Sequence, residues 1–179
     1  MSSNFRFISY NEDVDEMLQQ ILNNEEDWGY VARLNNIGGD LDPYGFMPMT
    51  MAVLKHKDED PKNAEGLERT ALYAKYKNIK LWLKKWGIRK TARAAFFRLQ
   101  TMSSVGRHVD EGTYYLDKDR YHLCLQGEYD YECGGEWHTI KPGTFFWFDN
   151  KKPHQAHNYS ETIERISFVF DVPKSDKNP

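Results

Sequence analysis

The sequence predicts a mainly β chain with some helix: a double-stranded β-helix, or jelly roll, with an N-terminal helical region packed against it. Three observations predict it. The first half places apolar residues at helical spacing. The second half carries short runs of aromatic and β-branched residues, alternating in period two, with Gly- or Pro-bearing turns between them. The texture changes near residue 93. This gives a helical region over 1–93, a jelly-roll core over 94–172 and a disordered tail over 173–179, within one compact unit.

Composition bounds the function. A chain of 179 residues with 40% apolar and 15% aromatic content can build a core. Its 24 Lys and Arg against 27 Asp and Glu leave a net charge of −3, which argues against a duplex nucleic-acid binder. No apolar run approaches the ~20 residues of a membrane helix. Met1 to Arg6 has no apolar core and no small-residue cleavage site, so no secretion signal is expected. Cys124 and Cys133 are too few for a disulfide scaffold. The expected location is cytoplasmic.

The elements follow in order. Ser9 and Glu12 fit a capping box ahead of Val14, Met17, Leu18, Ile21 and Leu22, which predicts a helix over 10–24. Asn35 to Pro48 reads as loop, and Lys55 to Gly66 as a charged exposed loop. Leu72, Tyr76, Ile79, Leu83 and Trp86 form one helical stripe, with Gly87 as its C-cap. Eight strands are predicted: 95–101, 105–109, 120–125, 128–132, 137–140, 144–148, 155–158 and 165–172. Gly134-Gly135 and Lys141-Pro142-Gly143 are the turns between the middle ones. Eight short strands in so short a stretch suit a jelly roll.

Inward positions of a small barrel are normally apolar, so polar residues there need a reason. His108 and Asp110, two apart on a strand, share a face and offer two legs of a metal site. His154 is the third leg and His157 its rival, since residues three apart on a strand face opposite ways. Two His and one carboxylate on a jelly roll form the facial triad of non-haem Fe(II) oxygenases, with open positions for substrate and O2. Arg120, His122 and Cys124 share another face; that face either meets water or, turned into the lumen, places a cation and an imidazole near the metal. Arg165 and Ser167 point together and suit a carboxylate clamp.

His108-Val109-Asp110, Arg120-Tyr121-His122-Leu123, Pro142-Gly143-Thr144, Phe148-Asp149 leading to His154, and Arg165 ahead of Phe168-Val169-Phe170-Asp171-Val172 together resemble the aspartyl/asparaginyl β-hydroxylase family over about residues 95–172. The resemblance implies an Fe(II)- and 2-oxoglutarate-dependent dioxygenase that consumes O2. It implies His108, Asp110 and His154 as the catalytic iron ligands. Arg165 would hold the distal carboxylate of 2-oxoglutarate, and Arg120 and His122 would line the co-substrate pocket near the other carboxylate. Ser167 joins them from strand geometry.

The expected activity is hydroxylation of an unactivated C–H on an amino-acid side chain, free or in a peptide or protein. The alternatives are the same chemistry on another small molecule or a lipid, and a cupin-like metal-binding protein that is not an oxygenase. Arg165 and Arg120 favour the first two, because a cupin needs no dicarboxylate clamp. Glu111 to Tyr115 are placed at the mouth. Lys75 to Arg93 holds eight Lys and Arg and no acid, which reads as the solvated face of a helix whose aromatics are core.

Overall fold

The structure is a computed structural model that describes residues 3–30, 44–52 and 60–176. In chain order the elements are β1 (Phe5–Ser9), α1 (Asp15–Leu22), β2 (Gly29–Tyr30), β3 (Tyr44–Pro48), β4 (Thr50–Ala52), β5 (Leu67–Arg69), α2 (Ala71–Lys75) and α3 (Lys77–Lys85). Eight strands follow: β6 (Ala94–Leu99), β7 (Ser103–His108), β8 (Lys118–Gln126), β9 (Tyr129–Cys133), β10 (Glu136–Ile140), β11 (Phe145–Phe148), β12 (His154–Asn158) and β13 (Arg165–Pro173).

Two antiparallel sheets make the jelly roll. The large one runs β1-β11-β8-β13-β6-β3-β2 and the small one β10-β9-β12-β7; β4 and β5 form a separate ribbon. Alternation along the strands of the large sheet divides its side chains between two apolar compartments. One face, including Tyr121, Leu123, Phe145, Phe168 and Phe170, packs on α1 and α3 through Met17, Ile21, Ile79, Trp82 and Leu83. The other face looks into the lumen between the sheets, where Phe146 and Phe148 meet Tyr129, Tyr131 and Ala156 of the small sheet.

The eight predicted strands are all present, with ends shifted by a residue or two. Gly134 and Gly135 adopt φ of 58° and 87°, the left-handed pair that a two-residue hairpin loop demands. Gly143 sits at φ 82°, and Thr144 N–H closes the turn onto Lys141 O at 3.0 Å.

The first half differs from the sequence expectation, because it contributes strands as well as helices. Residues 5–9 pair with β11, so the first helix starts at Asp15, not near residue 10, and no side chain caps it. Ser9 is therefore not an N-cap. Glu12 is turned inward instead, and its carboxylate accepts hydrogen bonds from Trp82 Nε1 (2.7 Å), Lys85 Nζ (3.0 Å) and Trp86 Nε1 (3.1 Å). Long-range pairing overrides the local capping signal here.

The single stripe from Leu72 to Trp86 is two helices broken at Tyr76, whose backbone leaves helical geometry at ψ 76°. Tyr76 is buried and donates its hydroxyl to Asp27 at 2.8 Å. Gly87 follows α3 at φ 71°, as a C-cap requires.

Within the expected 35–48 loop, residues 44–48 are strand β3, since the edge of β6 accepts them; 35–43 lie outside the described residues. Within the expected 55–66 loop, Pro61–Asn63 form one 3-10 turn and Ala64 is buried; 55–59 lie outside the described residues. At the end of the chain Pro173 closes β13 and Lys174 N–H bonds Asp117 O at 2.8 Å, while 177–179 lie outside the described residues. Among the described residues no helix is long and apolar enough to cross a membrane.

Candidate metal centre and anion pocket

β7 and β12 are antiparallel neighbours, and their register sets His108 directly opposite His154. Asp110 follows two residues after His108, just beyond the strand. One ligand atom each from His108, Asp110 and His154 lies within 4.8 Å of the others. Asp110 Oδ1 is 3.9 Å from His108 Nε2, and Oδ2 is 4.0 Å from His154 Nε2.

Each imidazole is oriented by its own strand. His108 Nδ1 meets Gly106 O at 2.8 Å and His154 Nδ1 meets Lys152 O at 2.9 Å. A carbonyl only accepts, so both Nδ1 atoms carry a proton, and Nε2 is the ring nitrogen each neutral imidazole offers to a metal. Burial, assisted by the neighbouring His108, lowers His154 to a pKa of about 4 against the pull of Asp110. Burial would raise Asp110, but Arg120, His154 and Asn150 outweigh it and hold the carboxyl below its usual range. The set at neutral pH is thus one neutral imidazole at His154 and one carboxylate, facing His108.

His157, the rival ligand, is on the opposite face of β12. It lies between Trp137 and Tyr159, outside the lumen.

Alternation carries the lumen face of the large sheet inward. Arg120, His122 and Cys124 on β8 stand across from Asp171, Val169 and Ser167 on β13. His122 is buried among Tyr131, Phe146 and Phe148. Burial, with Arg165 and Arg120 nearby, pushes its pKa well below the ordinary histidine value, so it is neutral. Arg165 is 4% exposed, and its guanidinium lies 4.9 Å from the Tyr129 ring centre. Tyr129 also places its hydroxyl 3.4 Å from Ser167 Oγ.

Arg165 has no acidic partner among the described residues; Glu164 pairs with Arg98 instead. His122 Nδ1 and Arg165 Nε are buried without a hydrogen-bond partner. Buried polar atoms are nearly always satisfied, so both atoms are open to a polar partner from outside the chain. A guanidinium, a hydroxyl and a neutral imidazole suit a carboxylate-bearing molecule.

Arg120 is held between two carboxylates. It donates Nε and Nη2 to Asp171 at 2.8 and 2.9 Å, and Nη1 to Asp110 at 2.7 Å. Cys124 faces the lumen but turns its thiol to Gly127 O at 3.3 Å, and burial pushes it up to about 12, which makes it inert.

The stretch 111–115 packs on the N-terminal half. Gly112 adopts φ 117° against Lys62, and Thr113 N–H bonds Asn63 Oδ1 at 2.9 Å. Tyr114 is fully buried and donates to Asp171 Oδ2 at 3.1 Å.

Four residues of this site are given no role by the sequence. Asp171 could have been found by extending the alternation Arg165, Ser167, Val169 by one more step. Asn150, which donates Nδ2 to Asp110 Oδ2 at 2.9 Å, sits in a turn with no periodic signal. Tyr129 and Tyr131 read as ordinary core aromatics.

The fold is shared with a known protein. A crystal structure of an oxidoreductase of the 2OG-Fe(II) oxygenase family from Burkholderia pseudomallei is similar at a TM-score of 0.60 and 14% identity, covering 96% of this chain and 85% of that one. A Cupin_2 domain of an XRE-family transcriptional regulator from Enterobacter cloacae overlaps less, with a TM-score of 0.38, 18% identity and coverage of 45% and 81%. No curated protein matches the sequence. The sequence profile of the aspartyl/asparaginyl β-hydroxylases matches residues 64–175, which contain the whole site and more than half of the chain, and so the protein belongs to the aspartyl/asparaginyl β-hydroxylase family.

Proposed function

We propose that this protein is an Fe(II)- and 2-oxoglutarate-dependent dioxygenase that hydroxylates an unactivated C–H of an amino-acid side chain, free or within a peptide. The observation that carries the reading is the pairing of two features in one lumen. One is a His108, Asp110 and His154 cluster of metal-ligating size; the other is a buried Arg165 with no acidic partner among the described residues. A cupin that binds only a metal has no use for the second.

The donor set fits Fe(II): two imidazole nitrogens and one carboxylate on one side of an ion leave positions for other ligands. His108 and His154 would bind through Nε2 and Asp110 through a carboxylate oxygen. Arg165, with Ser167 and the Tyr129 hydroxyl beside it, would take the distal carboxylate of 2-oxoglutarate, and His122 would offer its unpartnered Nδ1 along the way. When bound, iron and 2-oxoglutarate supply the activation of O2 and the oxidising equivalents for the hydroxylation. The protein's part is orientation and exclusion of water. Phe146, Phe148 and Tyr131 line the lumen and keep it dry. The reaction would convert C–H, O2 and 2-oxoglutarate into C–OH, succinate and CO2.

The test is anaerobic addition of Fe(II) and 2-oxoglutarate, followed by exposure to air. A weak visible charge-transfer band and then succinate are expected. Absence of both overturns the reading in favour of a metal-binding cupin. A +16 Da screen across amino acids, peptides and lipids then separates side-chain hydroxylation from the same chemistry on another molecule.

A further inference from the structure

Asp110 is not a free carboxylate. Its Oδ2 accepts Arg120 Nη1 at 2.7 Å and Asn150 Nδ2 at 2.9 Å. Its backbone N–H is held by Asn150 O at 3.1 Å. No hydrogen bond reaches Oδ1 among the described residues; Oδ1 lies 3.9 Å from His108 Nε2, and the doubly bonded Oδ2 lies 4.0 Å from His154 Nε2. Arg120 is itself clamped from behind. Asp171 accepts its Nε at Oδ1 and its Nη2 at Oδ2, and Tyr114 donates to Oδ2 as well at 3.1 Å. The Tyr114 hydroxyl in turn accepts the Arg93 backbone N–H at 2.8 Å. The whole line is buried or nearly so.

We propose that Asp171, Arg120 and Asn150 are positioning residues that fix the Asp110 carboxylate, so that Oδ1 alone is presented to the metal. This rests on the metal reading above. Geometry and charge support it together. A carboxylate that rotates freely can grip a cation with both oxygens; one pinned through Oδ2 offers a single oxygen and spares a coordination position. A guanidinium paired with Asp110 alone would also draw its charge away from a cation. Asp171 takes up that positive charge with two short hydrogen bonds, so Asp110 keeps its own charge for the metal. Asp171 is the cross-strand neighbour of Arg120 in the register of β13 and β8, so the sheet itself holds this arrangement.

The test is Mn(II) binding without co-substrate or turnover, read from the free-ion electron paramagnetic resonance signal. Asp171→Asn and Asn150→Ala are expected to weaken Mn(II) binding by about 10- to 100-fold, the range found when partners of metal ligands are removed. Neither change should weaken it further in an Asp110→Ala background, because the tether acts only through that carboxylate. Unchanged Mn(II) binding in Asn150→Ala and Asp171→Asn overturns the proposal. So does an equal loss with and without Asp110, which would mark a general loosening of the fold. If Asp171→Asn does not fold, Asn150→Ala alone decides by the same comparison. No Mn(II) binding by the wild type overturns the metal reading itself.

Discussion

His108 and His154 stand opposite each other on neighbouring strands, ring centres 4.2 Å apart, and each donates Nδ1–H to the carbonyl two residues before it. Both rings are therefore aimed by backbone, and neither depends on the other for its orientation. His108→Ala or His154→Ala should abolish Fe(II) binding and succinate formation. His157→Ala should leave both unchanged. Full turnover in His154→Ala would falsify the ligand assignment.

Arg165 sets stability against function. A buried guanidinium without a carboxylate is a cost in the unliganded protein, and a buried charged pair forms only with the ligand. Arg165→Met should raise the Kd for 2-oxoglutarate roughly 100-fold, equivalent to about 3 kcal/mol for truncating one member of a desolvated charge pair. The unliganded variant should melt no lower than wild type. Thermal melts with and without 2-oxoglutarate check both statements, since a ligand that binds only the folded state raises Tm.

Glu12 gives the fold an acid limit. Burial works to raise its pKa, but hydrogen bonds from Ser9, Lys85, Trp82 and Trp86 outweigh it and the value falls below the ordinary 4.5. The folded state therefore holds the proton less tightly than the unfolded chain. The stabilisation is complete above pH 4.5 and is lost as pH falls from there through the lower folded value. Glu12→Gln should melt lower than wild type at pH 7, and the gap should narrow below pH 4.5. Fluorescence of Trp82 and Trp86, which touch the carboxylate, is the natural probe.

Gly112 links the N-terminal half to the site. It has φ 117°, and a Cβ there would fall 2.5 Å from Lys62 O, a backbone atom that cannot swing aside. Gly135, at φ 87°, has nothing within 4 Å of the same added atom. Gly135→Ala should cost only the left-handed backbone penalty of about 1–2 kcal/mol. Gly112→Ala should cost more and should also weaken metal binding, because Asp110 lies two residues away. Urea unfolding and Mn(II) titration of the two variants separate these effects.

The second half was legible because its strands alternate cleanly and its turns carry glycines that only glycine suits. The same period placed Arg120, His122, Arg165 and Ser167 inside the lumen, and separated His154 from His157. What it could not supply was pairing. Arg120 reads as a cation near the metal whether it meets a bound carboxylate or Asp171, and only the register of β8 with β13 decides. β1 was hidden by a capping signal at Ser9 and Glu12, although Phe5 and Phe7 alternate as a strand should. β2, β4 and β5 are two or three residues long, too short for any periodicity to show.

The position of β13 has a consequence for how the protein is made. Strand β13 comes after the other described strands in the sequence, yet it lies in the interior of the large sheet, between β8 and β6. Until it emerges from the ribosome, the earlier strands lack their shared neighbour, and Arg165 and Asp171 are not yet present. His108, Asp110 and His154 all precede β13, so a nascent chain carries that cluster before the Arg165 side of the pocket can close.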